Sequence, residues 1–292
     1  MQVTISDDFD LQKIADSGQC FRVRDFGDGM FRFITGSEVL YIKKLSRARY
    51  EVSCPDGVWR RVWVPYFDLG RDYRRIREAI PASDAYMRSA ARGGKGIRVL
   101  RQDPWETLVT FIISQRKSIP AIKASVELLA RRFGEIITTP YETLYTFPSA
   151  SQLEEASDQD LADCKLGYRV SYVKDAAAKV RWGKVDLSAL SCLSDTDVLN
   201  ALKTVRGVGD KVAACVCLFS YGRTGVAPID TWIHKIIARE YGGVDPFPAY
   251  GESAGIMQQY AFYDAISHKE MFSVLSNQGP ARRSSACRPS ER

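Results

Sequence analysis

A lysine at the start of a helix carries the first chemical signal in this sequence. In the stretch RGVGDKVAACVC, residues 206–217, Lys211 follows two glycines and stands where an apolar helical pattern begins. The amino-terminal end of a helix disfavours a cation, so this position favours the neutral amine. A neutral amine attacks an electrophilic carbon and forms a Schiff base. Lys211 is therefore a candidate catalytic nucleophile.

A carboxylate follows further along the chain. Asp230 ends the stretch VAPID and precedes the helical pattern TWIHKIIAREY. Aspartate is a preferred N-cap residue, so capping of this helix is the simplest role for Asp230. A carboxylate in that position can also stabilise developing positive charge or relay protons, and the two roles can coexist. We therefore pair Asp230 with Lys211 as a second candidate catalytic residue.

The glycines before Lys211 predict how the two helices are joined. Gly207 and Gly209 enclose Val208 between two helical patterns. Glycine permits positive φ and leaves the turn open to close approach by a partner. The amides at the start of the second helix have no partner within that helix and form a site suited to a phosphate. The stretch predicts a helix–hairpin–helix, although a plain turn between helices also uses glycine.

The remaining elements predict an α+β chain, with an N-terminal antiparallel β-sheet packed on a mostly helical body. MFRFITGSEVLYIKKL alternates apolar and polar residues around Gly36-Ser37, and YEVSCPDGVWRRVWV does the same around Asp56-Gly57. From about residue 70 the period becomes helical. Asp103, Pro104 and Glu106 predict a helix start with a capping box. We expect a sheet subdomain over 1–95, a helical body over 96–276 and a disordered basic tail over 277–292.

Composition narrows the class of protein. The chain has 292 residues, 45% of them hydrophobic and 26% charged, and its longest apolar runs are too short to span a bilayer. Its start lacks the pattern of a signal peptide, so we expect an intracellular protein, in the cytoplasm, nucleoid or nucleus. Seven cysteines form no CxxC pair and there are two histidines, which predicts reduced thiols and no metal site.

Positive charge is concentrated in one segment. The net charge is +6, but residues 43–101 contain fifteen Lys or Arg and six Asp or Glu, a net charge of +9. A basic surface attracts polyanions such as nucleic acid. This segment predicts a polyanionic partner, although many basic proteins bind no nucleic acid.

The motif residues together resemble a known family. LKTVRGVGDKVAACVCLFSYGRTGVAPIDTWIHKII is similar to the helix–hairpin–helix–Gly/Pro–Asp signature of base-excision DNA glycosylases. Within that superfamily it resembles the 8-oxoguanine DNA glycosylase/AP lyase branch. FDLQKIADSGQCFRV, GIRVLRQDPWETLVTFIIS, KLGYRVSYV and AGIMQQYAF resemble segments of the same family in the same order. The resemblance covers residues 9–265.

The resemblance implies a role for each matching residue. Lys211 would attack C1′ of the damaged nucleoside and Asp230 would support the oxocarbenium-like state. The carbonyl of Gly18 would accept the N7–H that 8-oxoguanine has and guanine lacks. The other residues that the resemblance places on the flipped base are Cys215 and Phe262, which would sandwich it, and Gln258, which would read its Watson–Crick edge. Core packing is the alternative role for Cys215 and Phe262.

The resemblance also implies contacts with DNA, and two of them depart from the family pattern. The implied DNA-binding residues are Arg116, Tyr168, Arg169, Gly207, Val208, Gly209 and Trp232. Arg116, in ISQRKSI, replaces an asparagine expected to fill the hole left by the flipped base, which leaves the preferred opposite base open. Trp232 stands where the family has a histidine near the substrate phosphate.

These observations lead to one predicted function and three alternatives. We expect a monomeric base-excision repair enzyme, without a cofactor, that removes 8-oxoguanine from duplex DNA and then cleaves the abasic site by β-elimination. A non-catalytic helix–hairpin–helix DNA-binding module would use the hairpin alone. A monofunctional alkylbase glycosylase, of which SQ in ISQRKSI is reminiscent, would leave intact abasic strands. A thiol enzyme would use Cys215 or Cys217.

Overall fold

The amino-terminal part of the protein is a five-stranded antiparallel sheet, as its alternating pattern predicts. The computed structural model describes residues 1–270. The strand order is β1-β5-β4-β3-β2. The strands are β1 (Gln2–Thr4), β2 (Arg24–Gly27), β3 (Met30–Thr35), β4 (Glu38–Lys44) and β5 (Arg49–Val52). Between the first two strands lies the short helix α1 (Leu11–Asp16), which Asp10 caps by accepting the Lys13 amide.

The central hairpin of the sheet confirms the predicted turn. Strands β3 and β4 pair in register, with Phe33 opposite Leu40, and the turn between them contains Gly36 at φ +56°. Phe33 and Leu40 are fully buried. Alternation in this hairpin therefore places one apolar face against the rest of the molecule.

The predicted hairpin at Asp56-Gly57 is wrong. Residues 56–66 form a continuous helical segment, made of α2 (Asp56–Val58), one π-helical turn (Trp59–Trp63) and α3 (Val64–Tyr66). Trp59 and Trp63 are four residues apart, and both are buried on the same side of this segment. Arg60 forms an i,i+4 ion pair with Asp56. The apolar spacing of four, which is helical rather than alternating, was the signal for this segment.

The rest of the described chain is mostly helical. The helices are α4 (Tyr73–Glu78), α5 (Ala85–Gly93), α6 (Pro104–Ser114), α7 (Ile119–Phe133), α8 (Ala150–Glu155), α9 (Asp158–Asp163), α10 (Val170–Arg181), α11 (Asp195–Lys203), α12 (Asp210–Phe219), α13 (Thr231–Glu240) and α14 (Ala254–Ser267). A two-stranded ribbon, β6 (Ile136–Thr138) with β7 (Thr143–Tyr145), follows α7. Asp103 caps α6 as predicted, by accepting the amide of Glu106. The Glu106 side chain does not complete the capping box; it faces Arg22.

Buried side chains form two clusters. One lies between the sheet and the helical segment 56–66, and the other fills the helical body. Phe21 of the amino-terminal part belongs to the body cluster, whereas Leu100 belongs to the sheet cluster. The amino-terminal part and the helical body therefore each contribute side chains to the other's buried cluster. The division at residue 95 stays a prediction, and the predicted tail over 277–292 lies outside the described residues. Within residues 1–270, no helix combines the length and apolarity needed to cross a membrane.

Two carboxylates from outside the basic segment 43–101, those of Asp7 and Asp8, offset part of its net charge of +9. Arg98 is fully buried, donates to Asp7 at 2.7 Å and stacks on the ring of Tyr73. The other ion pairs of arginines in this segment are Arg60–Asp56, Arg71–Asp68, Arg77–Asp8 and Arg101–Asp68. The segment thus offers less free positive charge to a polyanion than its composition implies.

Candidate active site

The candidate catalytic residues line one cavity. It has a volume of about 640 Å³ and lies where α6, α12, α13 and α14 meet the loop before β2. The sequence-predicted residues that line it are Gly18, Arg116, Lys211, Cys215, Asp230, Trp232, Gln258 and Phe262. The structure therefore brings together residues from five separate parts of the sequence. The size suits an organic ligand of ordinary dimensions.

Lys211 reaches this cavity from the first turn of α12. Its Nζ lies 3.5 Å from the hydroxyl of Ser114 and 5.0 Å from the centroid of the Phe111 ring. The ring face attracts the ammonium and so fixes its place. The amino-terminal end of α12 opposes the same positive charge. The side chain is thus placed between the Ser114 hydroxyl and the Phe111 ring at the start of α12.

Asp230 caps α13, as the sequence predicts. Its Oδ1 accepts the amides of Trp232 at 3.0 Å and Ile233 at 2.9 Å. Burial raises the pKa of the Asp230 carboxyl, while these hydrogen bonds and the charge of Lys211 act in the opposite direction. A carboxylate held by a cap inside a cavity keeps a fixed orientation. It can therefore stabilise positive charge that develops beside Lys211.

The cysteines near this site are poor nucleophiles. Cys215 lies one turn after Lys211 on α12, and burial raises the pKa of its thiol to about 11. Burial likewise raises the pKa of Cys217 to about 12. The thiolate is the reactive form of cysteine, so both side chains are inert near neutral pH. This observation disfavours the thiol-enzyme alternative.

Gly18 and Phe262 lie against each other in the wall of the cavity. Gly18 has φ +72°, and a Cβ added there would meet Cε1 of Phe262 at 2.8 Å. Positive φ and this close approach both require glycine. Phe262 is partly buried and packs against the helical core. The pair therefore forms one narrow wall of the cavity.

The carbonyl of Gly18 is left without a partner while its neighbours are bonded. The carbonyl of Ser17 accepts Nε2 of Gln259 at 2.6 Å, and the carbonyl of Gln19 accepts Nε2 of Gln102 at 2.8 Å. The Gly18 carbonyl accepts no hydrogen bond from any residue that the structure describes. Bonds on both sides fix the backbone, and the carbonyl between them stays available to a ligand.

Gln258 carries a buried amide oxygen that has no partner among the described residues. It is 3% exposed and lines the cavity, and its Oε1 has no hydrogen-bond partner within residues 1–270. Burying an unpaired amide oxygen costs about 1–3 kcal/mol. A ligand that donates a hydrogen bond to Oε1 would recover that cost. Gln258 is therefore a buried polar side chain at the cavity that can accept a hydrogen bond from a ligand.

The helix–hairpin–helix is present as predicted. Gly207 has φ +80°, and a Cβ there would meet the ring of Tyr172 at 2.3 Å. Gly209 is the N-cap of α12 and supplies no side-chain cap. Val208 is buried, whereas Gly209 and Asp210 are exposed. The first amides of α12 therefore face solvent and can bind an anion, while the valine anchors the turn.

The remaining predicted DNA contacts differ in exposure. Tyr168 is 55% exposed, and Arg116 is also exposed. Trp232 is half-buried at the cavity wall, with Nζ of Lys235 5.0 Å from its ring centroid. Arg169 is buried, and its guanidinium donates to the carbonyls of Leu166 and Gln115. Arg169 thus supports neighbouring backbone and presents no free charge to a surface.

Sequence reasoning missed several residues of this site. Ser114, His234 and Gln259 line the cavity, and Gln115 joins it to the hairpin. His234 could have been found, because it lies one turn after Asp230 on the same helix. Gln259 carries no comparable signal, since its role depends on a contact with Ser17, far away in the sequence.

Comparison with known proteins agrees with this geometry. Residues 2–108 match the family model of the 8-oxoguanine DNA glycosylase N-terminal domain, and residues 109–259 match that of HhH-GPD superfamily base excision DNA repair proteins. These two matches cover the sheet and the helical body up to α14. The chain therefore belongs to the HhH-GPD superfamily of base excision DNA repair proteins.

Comparison with individual solved structures identifies the family within this superfamily. The solved structure of MBOgg1 with a low-affinity DNA ligand is 37% identical, has a TM-score of 0.86 and covers 92% of this chain and 95% of its own. The 8-oxoguanine glycosylase/lyase of Clostridium acetobutylicum, solved with duplex DNA containing cytosine opposite 8-oxoG, is 31% identical with a TM-score of 0.84, over 92% and 98% of the two chains. Within the superfamily, this chain belongs to the 8-oxoguanine DNA glycosylase family.

A yeast relative matches over a shorter region. The N-glycosylase/DNA lyase of Saccharomyces cerevisiae is 33% identical over 195 residues, which are 61% of this chain and 50% of that protein. The matched region thus spans about half the length of this relative.

Proposed function

We propose that this protein removes 8-oxoguanine from duplex DNA and then cleaves the strand at the resulting abasic site. The observation that carries the proposal is the meeting of Lys211, Asp230, Gln258 and the free Gly18 carbonyl in one cavity. Lys211 is the nucleophile and Asp230 stabilises the developing positive charge. The unpaired oxygens of Gly18 and Gln258 select the base that is bound. The exposed hairpin amides grip the phosphate backbone.

The selection follows from the hydrogen bonds that the base can donate. 8-Oxoguanine carries N7–H, which the Gly18 carbonyl can accept, whereas guanine presents a lone pair at N7 and would repel that oxygen. Donors on the Watson–Crick edge of the base match the unpaired Oε1 of Gln258. A site built to accept a hydrogen bond rejects the analogue that lacks the donor, because its own polar group is left unpaired. The base must leave the stack to reach these acceptors.

The chemical steps follow from the amine. Nζ of Lys211 attacks C1′, the glycosidic bond breaks and the base leaves with its electron pair, while Asp230 stabilises the positive charge on the sugar. The nitrogen then loses a proton, and its lone pair opens the sugar ring: the C1′–O4′ bond breaks, O4′ keeps the electron pair and takes a proton, and a Schiff base forms between Nζ and C1′. Removal of a proton from C2′ then breaks the bond from C3′ to the phosphate oxygen, which cleaves the strand. The proposed DNA substrate agrees with the predicted intracellular location; the monomeric state stays a prediction.

Borohydride trapping tests this proposal. The protein is incubated with a duplex that carries 8-oxoguanine opposite cytosine, and with the same duplex carrying guanine. A covalent protein–DNA adduct with the lesion duplex alone is expected, because borohydride reduces the Schiff base. Alkali-labile abasic sites without an adduct would instead support the monofunctional alternative, for which an alkylated duplex is the matched substrate. Binding without either product would support a non-catalytic DNA-binding module.

A further inference from the structure

The loop between α6 and α7 holds an arginine in an unusual conformation. Arg116 has φ +50°, in the left-handed region that non-glycine residues rarely adopt. Such a residue costs about 1 kcal/mol or more and persists only where its surroundings fix it. Arg116 is exposed at the mouth of the cavity, and it forms no hydrogen bond or ion pair within residues 1–270. Its guanidinium is therefore free to contact a ligand while its backbone is constrained.

The side chain of Gln115 joins this loop to the helix–hairpin–helix. Its Nε2 donates to the carbonyl of Gly207 at 3.1 Å and to that of Ile112 at 3.2 Å. Gly207 is the first residue of the hairpin turn, and Ile112 belongs to the last turn of α6. One amide group therefore connects the phosphate-binding turn to the residue that precedes Arg116.

Two cations fix the other side of the loop. Arg169 donates to the backbone carbonyl of Gln115. Nζ of Lys117 donates to the hydroxyl of Ser125 at 2.6 Å and to the carbonyl of Lys165 at 2.6 Å. Both cations are occupied by these bonds. Among these three cations, Arg116 is therefore the one whose guanidinium makes no hydrogen bond within residues 1–270.

We propose that Gln115 is a positioning residue that couples the phosphate grip of the hairpin to the orientation of Arg116. When phosphate binds at the start of α12, the hairpin is fixed, and the Gln115 bond to Gly207 transmits that constraint to the loop. Arg116 is then held where a planar cation can occupy the gap left by the extruded nucleotide. The inference rests on the proposed function, because it assumes a nucleotide that leaves the duplex.

The proposal is tested by removing the side-chain amide of Gln115, which donates both hydrogen bonds. Gln115→Met keeps the unbranched length of the side chain and loses both hydrogen bonds. Base excision under single-turnover conditions should slow about tenfold or more, because small misplacement of a positioning group is costly. Strand cleavage at a preformed abasic site, which has no base to extrude, should be much less affected. Gln2→Met, at the exposed edge of the sheet, is the control and should leave both rates unchanged.

A double-mutant cycle separates this role from a general structural one. If Gln115 acts through Arg116, then Gln115→Met should have no further effect in an Arg116→Ala background. A fluorescent 2-aminopurine next to the lesion reports extrusion without chemistry, and its signal should fall in Gln115→Met. Wild-type excision rates in Gln115→Met, or an undiminished effect in the Arg116→Ala background, would overturn the proposal. A wild-type protein that extrudes the base but does not excise it would overturn the proposed function alone.

Discussion

The ammonium of Lys211 lies 3.5 Å from the hydroxyl of Ser114 and forms no ion pair with any residue that the structure describes. The contact joins the start of α12 to the end of α6. This arrangement distinguishes Lys211 from a surface lysine and supports its use as an amine nucleophile.

Lys211→Gln should abolish excision and strand cleavage while the protein still binds the lesion duplex. The amide keeps an unbranched polar side chain, one bond shorter than lysine, and removes the nucleophile. Adduct formation with borohydride and the dissociation constant for the lesion duplex are the two measurements. Lys44→Gln, at the exposed end of β4, is the control for loss of one positive charge. Strand cleavage retained by Lys211→Gln would contradict the assignment.

Asp230→Asn should lower the rate of excision by about a hundredfold or more, because the amide cannot stabilise positive charge as a carboxylate does. The amide oxygen can still accept the two amides at the start of α13. Burial raises the pKa of Asp230, so the ionised carboxylate costs stability at neutral pH. The melting temperature of the variant should therefore be unchanged or higher.

Asp103→Asn is the matched control for that variant. Asp103 also caps a helix, and burial also raises the pKa of its carboxyl. Its replacement should have a similar effect on the melting temperature and no effect on the excision rate. Equal losses of activity in the two variants would show that Asp230 acts only as a cap.

Gly18→Ala should lower excision of 8-oxoguanine, because the added methyl group would meet Cε1 of Phe262 at 2.8 Å and force the backbone at Gly18 or the Phe262 ring to move. The change also places alanine at φ +72°, which costs about 1–2 kcal/mol. Thermal unfolding and single-turnover excision measure the two effects separately.

Gly36→Ala is the control that separates the two effects of Gly18→Ala: the cost of placing alanine at positive φ and the steric clash with Phe262. Gly36 also has positive φ, at +56°, and a Cβ there meets nothing within 4 Å. This variant should lose stability by a similar amount and keep the wild-type excision rate. If it loses excision as Gly18→Ala does, the effect at Gly18 is one of global stability.

Glu106→Gln should remove a pH dependence of stability. Burial raises the pKa of Glu106 from an ordinary value of 4.5 to about 7, and its Oε2 lies 3.9 Å from Nη1 of Arg22. Between these two pKa values the folded protein binds more protons than the unfolded chain, so the free energy of unfolding falls as pH rises. We expect this fall to be about 1–3 kcal/mol in the wild type and to vanish in the variant.

Urea unfolding at about pH 5 and about pH 8 measures the difference. Glu127→Gln removes the other carboxylate that pairs with Arg22 and should leave the fall in place. An unchanged pH dependence in Glu106→Gln would show that a different group is responsible.

Local sequence patterns are enough to predict the elements that carry the chemistry. Caps and helical periodicity depend on neighbours in the chain, so the starts of α6 at Asp103 and of α13 at Asp230 were predicted correctly. The Gly-Val-Gly sequence before Lys211 likewise predicts the turn between the two helices correctly. The same local reasoning failed over 56–66, because alternation in YEVSC was extended into a stretch whose buried tryptophans are spaced as in a helix.

Contacts between distant segments establish which of these residues share a site and which are free to act. The position of Gly18 against Phe262, the occupied guanidinium of Arg169 and the bond from Gln115 to Gly207 each join segments that are far apart in the sequence. Burial and unpaired polar atoms arise from such contacts between distant segments. A residue type reveals what a side chain can do, whereas its packing determines whether a ligand can reach it.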